Sequence, residues 1–225
     1  MMLSTAKYFA IRTSSVRVDI VPRTGATFAA MIAEQIAALQ NMLADYIARS
    51  SDTESKNHAA QIARFVASEQ RPWSRDTLAG HMTASAWVLD RTHTHAAMIH
   101  HRKLDRWLQP GGHVEDGDAS WWAASQREVS EEIGLTQFLA QDDDSHLFDV
   151  DVHAIPARGD VPTHFHYDIR FLFVADIDAT GGLALELNAD EAHDCRWFSL
   201  IELANDPTLE PSIRRMVELS IRQFS

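Results

Sequence analysis

Three carboxylates crowd one turn of this 225-residue chain: Glu128, Glu131 and Glu132, in the run Arg127-Glu128-Val129-Ser130-Glu131-Glu132-Ile133-Gly134-Leu135. At about 100° per residue, with Glu128 at zero, Glu131 falls near 300° and Glu132 near 40°, so a helix puts all three on one face roughly 100° wide. Trp122, Val129 and Ile133 fall between about 100° and 140°, a separate apolar stripe for packing. Glu128 and Glu132 stand at i,i+4, where like charges destabilise a helix by a few tenths of a kcal/mol, so helix stability gives no reason for the arrangement. A hard divalent cation does, because Mg²⁺ or Mn²⁺ prefers oxygen ligands and often takes a few carboxylates beside waters and substrate phosphates.

A solvated acidic face is the ordinary reading of three glutamates on a helix, and the residues upstream overturn it. "PGGHVEDGD" precedes the helix, and its glycines allow tight conformations that bring backbone groups close to a metal or phosphate. Turn and helix together resemble the Nudix hydrolase family, whose box reads G, five residues, E, seven residues, REUXEEXGU, with U aliphatic. Residues 127–135 match the second half at every position. In the first half, counted from Gly112, Asp118 stands in place of the glutamate, and eight residues rather than seven separate it from Arg127. Two roles are open to Asp118: pairing with Arg127, or capping the helix at its positive end. "GHMTASAWVLD", "HHRKLDRWLQPGGH" and "CRWFSLIEL" also look like this family, and the resemblance covers residues 79–225.

The resemblance implies an α/β fold, a Nudix-like α/β/α sandwich with a mixed β-sheet in which the box forms a loop–helix–loop. It implies metal-dependent cleavage of the pyrophosphate bond of a nucleoside diphosphate linked to another moiety, by water attack on phosphorus, with Mg²⁺ or Mn²⁺ as cofactor. On the matching positions, Glu128, Glu131 and Glu132 hold the cation, the Gly112 carbonyl is a further ligand, and Arg127 orients a box glutamate. Glu191 in "LNADEAHDCRWF" is the expected later carboxylate that deprotonates or orients the water, with Asp190, Asp194 and Glu186 as rivals. A non-catalytic nucleotide-sensing module on the same fold is the alternative, and the intact box carboxylates count against it.

A second polar group comes from alternation. In "THFHYDIRFLFV", Phe165, Tyr167, Ile169, Phe171 and Phe173 take one strand face and His164, His166, Asp168 and Arg170 the other. This row, with His113, is the expected substrate-binding surface, and a plain exposed sheet face is the other reading. No short ligand spacing ties these histidines to His100 and His101 as a transition-metal site.

Several elements must position these groups. Apolar residues at three- and four-residue steps predict a helix over 28–47, and a second is expected over 54–69 after the cap-forming "SSDTES". Helices over 120–133 and 211–223 interrupt strand-like runs at 82–90, 96–101, 147–155, 164–177 and 195–200. The expected organisation is an irregular N-terminus over 1–26, a helical segment over 27–78 that packs on the core or on a partner, as in a homodimer, and a Nudix domain over 79–225.

The net charge is −12, divided as +2 over residues 1–78 and −14 over 79–225. Such acidity disfavours a nucleic-acid polymer or an anionic membrane as partner. A small nucleotide or other diphosphate remains, with a divalent cation standing between carboxylates and phosphates. One cysteine, Cys195, excludes a disulfide framework and a cysteine-based metal cluster. No run approaches the roughly 18 apolar residues of a membrane span, and no apolar N-terminal block marks a secretory signal, so the expected location is cytoplasmic.

Overall fold

Strand β1 (Gly80–Leu89) is buried at all ten positions, the mark of a strand covered on both faces. Its alternation divides the core. Met82, Ala84, Ala86 and Val88 join one apolar cluster, while Trp87 and Leu89 join another on the opposite face. The computed structural model describes residues 28–139, 146–181 and 185–224, so the irregular stretch expected over 1–26 lies outside the described residues.

Six further strands complete a mixed, curled sheet: β2 (His95–His101), β3 (Arg106–Leu108), β4 (Gly111–His113), β5 (Asp149–Ile155), β6 (His164–Val174) and β7 (Ala192–Ser199). The main path runs β3-β2-β1-β6-β5, with β4 added to β1 and β7 to β2. Among the described residues only the β1–β6 pairing is parallel, ten residues long from Gly80 opposite Phe165 to Leu89 opposite Val174. β4 lies antiparallel to β1, with Thr83 opposite His113 and Ser85 opposite Gly111. Both β3 and β4 escape the sequence pattern, because three-residue strands beside Pro and Gly carry no readable alternation.

Helices cover both faces. α1 (Phe28–Arg49), α2 (Thr53–Ser68) and α3 (Trp121–Ile133) contribute Leu39, Leu43, Ile62, Trp121 and Val129 to the first cluster. α4 (Leu200–Asn205) and α5 (Pro211–Phe224) contribute Leu200, Ile213, Met216 and Val217 to the second. The result is the expected α/β/α sandwich. The apolar stripe of α1 is used inside the chain: Leu39 and Leu43 are fully buried and the Tyr46 hydroxyl donates to Asp149 Oδ1 at 2.9 Å. α2 is capped by Asp52, whose carboxylate accepts from the Ser55 amide at 2.7 Å. Among the described residues, no helix is long and apolar enough to cross a membrane.

Candidate active site

α3 starts and stops where its sequence says it must. The Ser120 side chain accepts from the Ala123 amide at 3.1 Å, and Gly134 closes the helix in the left-handed region with φ +72°. A Cβ at Gly134 would sit 2.5 Å from Glu186 Cβ, so the residue must be glycine for the following chain to cross there. That chain finishes the helix: the Glu186 amide donates to Ile133 O at 3.0 Å and the Asn188 amide to Glu132 O at 3.1 Å. The segment carrying Glu191 is thereby tied to the end of α3 that carries Glu131 and Glu132.

Arg127 organises the other end. It donates from Nε and Nη2 to the two Asp118 oxygens, each at 3.0 Å, from Nη1 to Glu128 Oε1 and Glu131 Oε2 at 2.9 Å, and from Nη2 to His113 O at 2.9 Å. Asp118 therefore pairs with Arg127, and the helix cap falls to Ser120. These five contacts engage all five guanidinium donors, leaving none for a phosphate. Arg127 is a positioning residue, and its bonds to Asp118 raise its affinity for its proton.

Gly112 explains how Glu128 fits beneath β4. A Cβ there would lie 2.7 Å from the carboxyl carbon and both oxygens of Glu128. Glu132 is 2% exposed and accepts from the Gly111 amide at 2.9 Å. Both carboxyls are short of compensating charge. Burial pushes Glu128 up to about 7, with Glu131 and Glu191 adding to it against the pull of Arg127. Burial pushes Glu132 up to about 8, with Glu128, Glu191 and Glu131 adding to it against the Gly111 amide. Glu131 is half exposed beside them. Of the four late acids, Glu191 is the one whose field reaches both buried glutamates most strongly, whereas Asp194 pairs with Arg196 and Glu186 packs over Gly134.

The NUDIX domain family profile matches residues 80–219. The chain belongs to the Nudix family. It is a hydrolase acting on phosphoric anhydride bonds, and the matched region contains the glutamate-bearing helix and turn described above. Similar solved structures include a NUDIX-family hydrolase from Clostridium perfringens, 19% identical over 64% of this chain and 98% of that one, TM-score 0.44. An Ap4A hydrolase from C. elegans in a binary complex is 16% identical over 64% and 96%, TM-score 0.41. The NUDIX domain of Shewanella oneidensis NrtR, complexed with ADP ribose, is 13% identical over 72% and 98%, TM-score 0.44. Among proteins of curated function, none matches the sequence.

The polar row of β6 divides in two, and half of the substrate-surface expectation is corrected. Phe171 and Phe173 meet Trp122 of the Nudix helix α3, which puts the polar row on the opposite sheet face. Arg170 is 2% exposed and enclosed by Asp149 (Nη1 to Oδ2 3.0 Å), Asp168 (Nε to Oδ2 2.8 Å) and Ser212 of α5 (Nη2 to Oγ 3.2 Å). Asp168 is equally buried and accepts from the Thr83 and Ser85 hydroxyls at 2.8 Å. Both side chains are enclosed by protein partners, with Ser212 of α5 closing over Arg170, so neither forms part of an open substrate surface.

The other half gathers histidines. His164, His166 and His113 meet around His81, with ring centroids 5.1, 4.8 and 4.9 Å from it. His100 and His101 are elsewhere, in β2. Burial lowers His81 to about 4, His113 to about 4 and His166 to about 2, with neighbouring histidines adding to each shift, so all three are neutral at pH 7. His81 went unread in the sequence; the signal was available only through pairing, since it lies directly opposite His166 in the parallel β1–β6 register.

Proposed function

We propose that this enzyme hydrolyses the pyrophosphate linkage of a nucleoside diphosphate joined to a second moiety, with Mg²⁺ or Mn²⁺ held by Glu128, Glu131 and Glu132 and by the Gly112 carbonyl. One observation carries the reading: buried Glu132 and largely enclosed Glu128 converge under β4, and Arg127, which bonds Glu128, has all its donors engaged. Oxygen donors of this charge, short of a counterion, fit a hard divalent cation. When bound, the cation neutralises phosphate charge and lowers the energy of the developing oxyanion.

The chain's own groups do the rest. Arg127 and the Gly111 amide fix the carboxylates of Glu128 and Glu132 before substrate arrives, so no reorganisation accompanies reaction. Glu191 accepts a proton from the attacking water as its oxygen bonds to phosphorus and the bridging P–O bond breaks. The displaced phosphate leaves with that electron pair. The substrate class is the one the Nudix resemblance implies, and the chain's negative charge, which needs a cation between it and a polyphosphate, supports the reading.

The deciding experiment measures phosphate and nucleotide release from ADP-ribose, dinucleoside polyphosphates, nucleoside triphosphates, NADH and sugar nucleotides, with and without Mg²⁺ or Mn²⁺. Metal-dependent turnover on at least one is expected. Folded protein that binds a nucleotide yet turns over none of them would replace this reading with that of a sensing module.

A further inference from the structure

On the sheet face turned away from α3, His81, His164 and His166 each offer a ring nitrogen, and these atoms all lie within 4.8 Å of one another. We propose that this cluster is a second metal site, a three-histidine centre for a first-row transition ion of the Zn²⁺ class, separate from the carboxylate site and independent of the substrate reading above.

The central ring supplies the reason. His81 is 4% exposed, and neither of its nitrogens has a hydrogen-bond partner. A buried imidazole normally satisfies both positions, and leaving a buried polar group unpaired costs about 1–3 kcal/mol. A metal bond would supply the missing partner. His164 is prepared differently: its Nδ1 stands 2.9 Å from Pro162 O, an acceptor only, so Nδ1 carries the proton and Nε2 keeps its lone pair. Nδ1–H donation to a backbone carbonyl is the usual outer support of a ligating histidine. His153, whose ring lies 5.5 Å from that of His166, is oriented in the same manner by Asp151, Nδ1 to Oδ2 3.0 Å.

Chemistry and geometry then select the ion. Imidazole ligands with no carboxylate or thiolate among the three suit Zn²⁺, Ni²⁺, Co²⁺ or Cu²⁺ rather than Mg²⁺. Zn–N bonds of about 2.0–2.1 Å in a tetrahedral centre put ligand nitrogens about 3.4 Å apart, so the three rings need close by little more than about 1 Å. Three protein ligands leave a fourth position, which His113 adjoins from β4. Gly112 and His113 alternate across β4, so Gly112 faces Glu128 while His113 faces His81. The two sites stand back to back on one short strand.

The test uses the full chain stripped with chelator and titrated with Zn²⁺, and separately with Co²⁺ as a spectroscopic probe. One tightly held ion per chain is expected, with the visible d–d bands of nitrogen-ligated Co²⁺. These bands must survive in a Glu128→Gln/Glu132→Gln double variant and be lost in His164→Ala and His166→Ala, two partly exposed positions whose replacement leaves the fold measurable by circular dichroism. Absence of a Co²⁺ spectrum in the native protein, or a spectrum lost with the glutamates and kept without the histidines, overturns the proposal. So does an unchanged metal titration in which the histidine variants only raise KM for the nucleotide, which would make the cluster a direct substrate contact.

Discussion

Two acidic clusters are buried in this molecule, and they are resolved in opposite ways. Asp149, Asp151 and Asp168 meet Arg170 and Arg215: Arg170 bonds Asp149 and Asp168, and Arg215 reaches Asp149 from Nε at 2.9 Å and Asp151 from Nη2 at 3.5 Å. Burial alone would raise Asp151, yet His153, Arg170 and Arg215 hold it well below the ordinary carboxylate range. Glu128 and Glu132 go the other way, pushed by burial to about 7 and 8 with neighbouring glutamates adding to it, while the one arginine that bonds Glu128, Arg127, also serves Asp118, Glu131 and a carbonyl. A chain that supplies its own cations has made an internal strut. A chain that buries acids and withholds the cation has the charge deficit that the proposed metal site requires.

Breaking the first cluster should have the largest effect on stability. Arg170→Met takes from Asp168 its arginine partner and from Asp149 one of two, Arg215 remaining, and removing one partner of a buried pair costs about 3–5 kcal/mol. Urea denaturation should show this as a lower midpoint. A loss under about 1 kcal/mol, the range of exposed pairs, would show that solvent reaches the aspartates and that the contrast between the clusters is false.

Glu132→Gln is the matching change in the second cluster. The amide oxygen still accepts from the Gly111 amide while the charge disappears, so metal-free stability should hold or rise. Turnover should fall by more than about 100-fold, beyond the range for disturbing only the outer support of a metal ligand. Wild-type turnover in this variant would remove the acidic face from the mechanism.

The clusters should also respond differently to pH and metal. Glu128 and Glu132 have folded-state pKa values above the ordinary carboxyl value. Their contribution to stability is therefore present in full below about pH 4.5 and lost as pH rises through about 7 to 8, where the folded protein must give up protons it would rather keep. Melting temperature of the metal-free protein should fall across that window, and Mg²⁺ should restore more of it at about pH 8.5 than at about pH 5.5, where protons compete for the same oxygens. The Glu128→Gln/Glu132→Gln variant isolates the effect: if its profile and Mg²⁺ response match wild type, these two groups are not its source.

The difference between the clusters was half legible in the sequence. Local spacing exposed the glutamates, because helix periodicity places Glu128, Glu131 and Glu132 on one face from three numbers alone. The helix expected over 120–133 was legible too, and is observed over Trp121–Ile133, although its Ser120 cap was not read. The fate of the β6 row was not legible, since alternation assigns Asp168 and Arg170 a face but cannot say what covers it. α5, packed some forty residues later in the chain, decides that. His81 was hidden likewise, as parallel pairing with β6 is a long-range choice that no local pattern in "GHMTAS" records. The role of Asp118 had two readings until the turn geometry selected Arg127 over the cap.

The smallest predicted effect concerns a support outside the family region. Gln35 of α1 donates from Nε2 to Ala119 O at 3.2 Å, and Trp121 Nε1 donates to Gln35 O at 3.0 Å, so the N-terminal helix touches the junction between Nudix loop and Nudix helix. Gln35→Ala removes the first bond and keeps the second, because the Trp121 acceptor is backbone. The loss should be about 0.5–1.5 kcal/mol or less in stability, the usual net worth of a hydrogen bond, with turnover changed little since Arg127 still grips Asp118. If Gln35→Ala instead matches Glu132→Gln in lost turnover, the loop is set from α1 rather than from Arg127, and the helical segment before residue 80 becomes part of the catalytic apparatus.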